Sequence, residues 1–233
     1  MQTARLETFD KLYSRAAKRK GGDKILALLL ADLDELQDVA ELTDDRILSA
    51  FTKKVFQSGF IWRVVENKWL NFEDSFFNFN LEKVLMMPEE MMERKAADPK
   101  IIRNYNKVKT IKANAQMMFE EQSNGHSFSK FLAQWPSNDI IGLWAYLKKH
   151  GSRLGGNTGP YALRVLGKDT FLLTRDIEAY FRATNIIDGG IQSKKSLAAI
   201  QHSFTVWQQQ SDYSLAKLSR LVAYATGDNH IQA

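Results

Sequence analysis

The segment His150-Gly-Ser-Arg-Leu-Gly-Gly-Asn-Thr-Gly-Pro-Tyr-Ala-Leu-Arg164 holds Gly151, Gly155, Gly156 and Gly159, four of the chain's 13 glycines. Glycines at such spacing let the backbone turn sharply and leave N–H groups bare, and the start of a helix beyond them adds positive potential. Together these features make a site for one phosphate. Lys148, Lys149 and Arg153 flank the turn and suit charge-assisted contacts to the same group. Lys194 and Lys195, at a second helix start, fit the same role one by one. A phosphate at this turn points to a nucleotide or a nucleic acid, while the same glycines also suit an ordinary helix C-cap.

The elements that must hold this turn read as helices. Ile140-Ile-Gly-Leu-Trp-Ala-Tyr-Leu-Lys-Lys149 has apolar residues at helical spacing and two lysines in its last turn, where cations complement the helix dipole. Pro160 suits the first turn of a following helix, because its missing N–H has no partner to lose there. Upstream, Leu6 to Ala16 share one helical face, and Lys24–Leu36 forms an apolar helix closed by Asp32, Asp34 and Glu35. Thr43-Asp-Asp45 reads as a cap and acidic first turn for a helix through Phe56, which Gly59 ends. Phe60–Val65 begins another segment, Asn80 caps a short helix, and Pro88-Glu-Glu90 opens the next. Asp98-Pro99 then starts a longer helix through Ile111 to Phe119, broken at Ser123-Asn-Gly125. Beyond the hairpin, a loop at 168–176 enters helix 177–185, Ser193 caps Lys194–Gln210, and Asp212–Thr226 forms the last helix. No strand pattern and no internal repeat stand out, so the fold class is all-α.

Composition bounds the partners. A chain of 233 residues buries a sizeable core, and 44% hydrophobic with 25% charged residues is ordinary for a globular protein. The net charge of +5 permits a polyanionic partner. The absence of cysteine excludes disulfides and thiolate metal sites, and His126, His150, His202 and His230 lack ligand spacing, so no metal is expected. No apolar run reaches membrane-spanning length and no signal-peptide pattern opens the chain, so a cytoplasmic protein without a membrane partner is expected.

Four blocks in one order carry a resemblance. Gln57, Gly59 and Trp62 follow a Gln-x-Gly-x-x-Trp pattern; Phe72, Phe76, Phe79, Lys83 and Val84 follow an aromatic stretch and the next helix. Ile101-Ile-Arg103, Lys107, Ile111, Asn114 and Ala115 form a third block, and Leu147, Lys148, Lys149, Gly151, Gly156, Thr158 and Tyr161 a fourth. Over roughly residues 43–176 the chain resembles the 3-methyladenine DNA glycosylase I family, a branch of the helix-hairpin-helix glycosylases. The resemblance implies a two-lobed helical enzyme that hydrolyses the N-glycosidic bond of an alkylated purine such as 3-methyladenine. Its partner is double-stranded DNA with a damaged base, and one nucleotide swings into a pocket between the lobes. A monomer is expected, with residues 1–42 as divergent N-terminal helices joined to a domain at 43–233 whose hairpin lies at about 150–161.

The resemblance also assigns residues. Trp62 is expected to stack on the base, with Phe60, Trp69, Lys54 and Tyr161 around it, while Gly156, Asn157, Thr158 and Gly159 grip the backbone beside Lys148, Lys149 and Arg153. Bond breaking passes through an oxocarbenium-like sugar that needs a carboxylate nearby. Asp176, shortly after the hairpin, is the candidate; Thr174 competes for its register, Asp169 is second choice, and capping of helix 177–185 is the structural alternative for Asp176. Members that also cleave the strand use a lysine just after the hairpin, where this chain has Tyr161, so hydrolysis alone is expected. The chain departs from the family in three places. Lys54 occupies the position of a glutamate that contacts the base; the zinc ligands, two cysteines and two histidines, are missing; and no His-Asp-x-Glu-Trp segment precedes residue 42. A lysine should repel a cationic base. A damaged-DNA binder with lost or altered excision, and a helical protein scaffold, are therefore the alternatives.

Overall fold

A computed structural model describes residues 6–33, 37–122 and 125–227. The acidic helix end expected at Asp34 and Glu35, the break at Ser123 and Asn124, and His230 lie outside them. Every regular element among the described residues is helical, as expected. In chain order these are α1 (Phe9–Lys20), α2 (Asp23–Ala31), α3 (Asp44–Gln57), α4 (Trp62–Asn67), α5 (Trp69–Ser75), α6 (Leu81–Leu85) and α7 (Glu89–Ala97). They continue as α8 (Tyr105–Gln122), α9 (Phe128–Gln134), α10 (Ile140–His150), α11 (Thr158–Val165), α12 (Arg175–Ala183), α13 (Lys194–Gln210) and α14 (Leu215–Thr226).

Two compact units share the chain. A terminal unit takes residues 1–36, 136–141 and 169–233; a central unit takes 37–135 and 142–168. Residues 37–42 fall in the central unit, and residues 169–233 fall in the unit of the N-terminal helices.

In the terminal unit, α1 packs against α14 through Leu12 and Ala16, and Arg15 and Arg19 donate to the Ala225 and Tyr224 carbonyls at 3.2 and 3.0 Å. Those guanidiniums satisfy carbonyls that the end of α14 leaves without helical partners. Phe171 and Phe204 stack at 4.5 Å, and Phe181 and Trp207 complete a buried aromatic centre. In the central unit, α3 is the buried axis: Phe51, Phe56, Phe72, Phe76 and Phe79 are all fully enclosed around it. Arg46 clamps Glu73 through two nitrogens, at 3.1 and 2.9 Å, and Glu73 also accepts from Ser49 Oγ at 2.7 Å.

Two expected helix starts move. The long helix begins at Tyr105 and not at Asp98, because Asp98 spends its carboxylate on the Lys100 N–H and Asn104 caps the later start by accepting from the Lys107 N–H. Helix α12 is capped by Thr174, whose Oγ1 accepts from the Ile177 N–H, and not by Asp176. Two aspartates cap helices far away in sequence. Asp44 accepts from the N–H groups of Phe128 and Ser129 at 2.9 and 3.0 Å, and Asp169 from those of Leu215 and Ala216 at 3.0 and 2.9 Å. Asp169, the second choice for catalysis, is thus occupied in starting α14. Removing such an acceptor costs about 1–2 kcal/mol. Asp169→Ala and Asp44→Ala should each lower the urea midpoint accordingly, and an unchanged midpoint in both would refute the capping role.

Candidate base-binding cavity

The turn after α3 sets up the site. Gly59 has φ +97°, a left-handed conformation natural to glycine, and it lets the chain reverse so that Trp62 opens α4 beside the end of α3. The ammonium of Lys107, on α8, fixes that turn from below. It donates to the carbonyls of Val55, at 2.8 Å, Phe56, at 3.2 Å, and Ser58, and so completes a helix end that has no partners of its own. Burial, with Arg153 adding repulsion, holds the Lys107 pKa below the usual lysine range.

The hairpin is held from the same helix. Asn114, fully buried and two turns beyond Lys107, accepts from the Ser152 N–H at 2.7 Å and donates to the Ser152 carbonyl at 3.2 Å. Gly159 donates to the Leu154 carbonyl at 3.1 Å, and a Cβ at that position would stand 2.5 Å from the same oxygen, so no larger residue fits. The N–H groups of Gly155 and Gly156 find no acceptor among the described residues, as the glycine pattern led us to expect.

Between these two turns lies a cavity of about 180 Å³, lined by Lys54, Gln57, Ser58, Trp62, Asn157, Thr158 and Tyr161, all of the central unit. A cavity of about 150 Å³ holds benzene, so this one admits a single flat heterocycle. Trp62 is 54% exposed and meets the Tyr161 ring edge-on, with centroids 6.3 Å apart. The Lys54 ammonium lies 4.7 Å from the Trp62 ring centre and donates to Gln57 Oε1 at 2.7 Å. Gln57 Nε2 donates in turn to Glu66 Oε1 at 2.8 Å, and Glu66 pairs with Lys53 at 3.1 Å. Burial lowers the Lys54 pKa; Glu66 opposes that shift and Lys53 adds to it. No carboxylate is among the lining residues.

Of the expected base-pocket residues, the structure brings together Lys54, Trp62 and Tyr161. Trp69 is corrected: it is 7% exposed, stacks on Phe72 and Phe79 at 5.0 and 5.6 Å, and bonds Ser49 and Glu73 through its indole N–H, so it is core. Phe60, half-buried, offers its ring to the Lys107 ammonium at 4.6 Å. Asn157 and Thr158, expected on the DNA backbone, also line the cavity. Gln57 and Ser58 enter unannounced, although Gln57 is one turn from Lys54 on α3 and shares its face. Lys148, Lys149, Arg153 and Gly156 are exposed around the hairpin, and the stem of Lys148 covers Gly155. Asp176 is in the first turn of α12 in the terminal unit, where its carboxylate abuts Gly227 and acts on buried Lys20; it is not among the lining residues.

A helical chain with a glycine hairpin that opens on an aromatic cavity has the helix-hairpin-helix DNA glycosylase fold. Two structures of 3-methyladenine DNA glycosylase I from Staphylococcus aureus share it. A variant of that protein aligns at a TM-score of 0.50 and 21% identity over 63% of this chain and 88% of its own. The structure that describes its 3-methyladenine recognition aligns at 0.50 and 21% over 61% and 85%. Residues 34–155, more than half of the sequence, match the methyladenine glycosylase family, and the chain belongs to it. It is 30% identical over 105 residues to DNA-3-methyladenine glycosylase 1 of Escherichia coli. That match takes in 45% of this chain and 56% of the relative, so the chain spans about half the length of the curated protein it matches.

Helix α8 predicts its own test. Lys107→Met strands three carbonyl oxygens at the end of α3, a loss of about 2–3 kcal/mol, and Asn114→Ala frees both polar groups of Ser152 at about 1–2 kcal/mol. Thermal unfolding should rank them in that order below the unmodified protein. Equal stability of all three would show that neither side chain holds its turn.

Proposed function

We propose that this chain is a monofunctional DNA glycosylase that hydrolyses the N-glycosidic bond of an alkylated purine; 3-methyladenine, the base in its relatives' names and a cation in DNA, is the reference against which an uncharged alkylpurine is compared. The cavity carries this reading: an exposed Trp62 set edge-on to Tyr161, with room for one heterocycle, at the start of a helix entered through bare glycine N–H groups. A base inside a duplex cannot reach such a cavity, so the nucleotide must leave the stack at a cost of a few kcal/mol, which stacking on Trp62 offsets. The hairpin, with Lys148, Lys149 and Arg153, suits the phosphates on either side.

The reaction breaks the bond between C1′ and the base nitrogen. The electron pair leaves with the base, water adds to C1′ and gives up a proton, and the sugar is cation-like in between. We assign Asp176 to the stabilisation of that charge. Tyr161 offers no amine, so no Schiff base forms after the hairpin and the strand stays intact. In this reading the protein acts as a monomer on double-stranded DNA in the cytoplasm and needs no cofactor.

Methylated duplex DNA is the first substrate to try. Release of free alkylpurine is expected, with Asp176→Asn lowering the rate about 100-fold at unchanged DNA binding. Trp62→Ala should weaken binding of the damaged duplex about tenfold or more, the worth of one base stacked on an aromatic ring. No release from any alkylated duplex overturns the enzymatic reading. The slope of log affinity against log salt should fall by about one for each of Lys148→Ala, Lys149→Ala and Arg153→Ala that removes a phosphate contact. A slope unchanged in all three removes the hairpin cations from the interface.

A further inference from the structure

Among the described residues Lys54 is the one charged side chain that lines the cavity. Its Nζ sits 4.7 Å from the Trp62 ring centre, so a cation already occupies a face of the ring on which a base would stack. Among the described residues the ammonium donates to Gln57 Oε1, which leaves two of its three N–H groups for a ligand. Nothing on the lining balances this charge. Glu66, the nearest carboxylate, gives one oxygen to Gln57 Nε2 and the other to Lys53, and stands behind Gln57. Gln57 itself has its carbonyl turned to Lys54 and an N–H turned to Glu66. Ser58 and Thr158 add small hydroxyls of either polarity.

We infer that the cavity selects an uncharged purine that presents an oxygen or ring-nitrogen acceptor to Lys54, and that Lys54 is the residue that excludes purines carrying a fixed positive charge. The inference rests on the reading of the cavity as a base site. A cationic base on Trp62 would bring a second positive charge within about 5 Å of the ammonium, with no carboxylate to screen it, and would also have to evict the ammonium from the ring face. An uncharged base instead accepts a charge-assisted hydrogen bond at its edge while it stacks. The ammonium then does for the base what the aromatic pair cannot, since rings stack on any purine.

The test uses two isomers that differ in charge, 7-methylguanosine, cationic slightly below neutral pH, and O6-methylguanosine, which is uncharged. Quenching of Trp62 fluorescence in the full chain, with Trp62→Phe as the blank, reads binding of each. The unmodified protein should bind the O6-methyl isomer about tenfold more tightly or better. Lys54→Gln should bring the ratio near one, and Lys54→Glu should reverse it; should the glutamate variant fail to fold, the glutamine variant still decides. Equal or tighter binding of the 7-methyl isomer by the unmodified protein, or a ratio unmoved by the variants, overturns the inference. The readout needs no catalysis: selective binding of the O6-methyl isomer with no base released from methylated DNA sinks the enzymatic reading alone. Release of cationic bases in preference to uncharged ones sinks the inference alone.

Discussion

An ammonium group removed from water is costly unless it is fully bonded, and Lys107 meets that condition without a carboxylate. Its three acceptors are carbonyls at the end of α3, the negative pole of that helix, and the faces of Phe60 and Phe56 lie within 4.6 and 5.8 Å. The cation therefore finishes the helix and pins the turn at Gly59 in one step. Lys54 leaves α3 one turn before its end and Trp62 starts α4 just after it, so both cavity residues take their places from that turn. Asn114 lies seven residues along α8, on the same face, and binds both polar groups of Ser152. The two walls of the cavity thus hang from one side of one helix, and a shift of α8 would carry both together.

The electrostatics of the cavity follow from the order of side chains behind it. Lys53, Glu66, Gln57 and Lys54 form a hydrogen-bonded row in which Glu66 is paired at one end and separated from Lys54 by a neutral amide at the other. Glu66 still acts on Lys54 and resists the lowering of its pKa by burial. The Lys54 side chain thus lies beside an aromatic ring, with the neutral Gln57 amide between it and Glu66. A carboxylate in place of Lys54 would reverse this field; it would face Gln57 Oε1 and repel it, so the amide would have to turn and release Glu66. The change of one residue therefore alters the whole row and not one contact.

How far the sequence could be read depended on whether a residue type had one physical use or several. The hairpin was legible because Gly159 has no room for a Cβ and bare N–H groups need glycine neighbours, and both constraints leave a mark in the sequence. The all-helical class was legible from period and caps, with Thr43, Asn80 and Ser193 each directly before a helix, whereas the Ser214 cap was missed and the last helix was expected to start at Asp212. Trp62 was found through the family resemblance carried by Gln57, Gly59 and Trp62 itself. Trp69 was misplaced because an aromatic residue near a site is equally at home in the core, and only its Ser49 and Glu73 partners decide which. Asp176 was weighed as a cap of α12, and the hydroxyl of Thr174, weighed only for its register in the family pattern, took that place. Lys107 and Asn114 entered only as members of a family block, and the signal of their place on the helix went unused. Each is a polar residue on the apolar face of α8, in register with Ile111 and Met118, where a polar group must find its partners inside the protein.

A base enters this cavity against two kinds of wall with different powers of discrimination. Trp62 and Tyr161 supply contact area and a π-face, which every purine satisfies alike, so they set affinity and not choice. Choice needs a polar group whose loss or mismatch leaves something buried and unpaired. Gln57 is committed to Lys54 and Glu66, and the lining hydroxyls can turn to donate or accept, so none of them rejects a ligand by polarity. The ammonium of Lys54 cannot turn into an acceptor. Lys54 therefore gives the site one fixed donor, on α3, whose place is fixed in turn by the Lys107 ammonium at the end of the same helix.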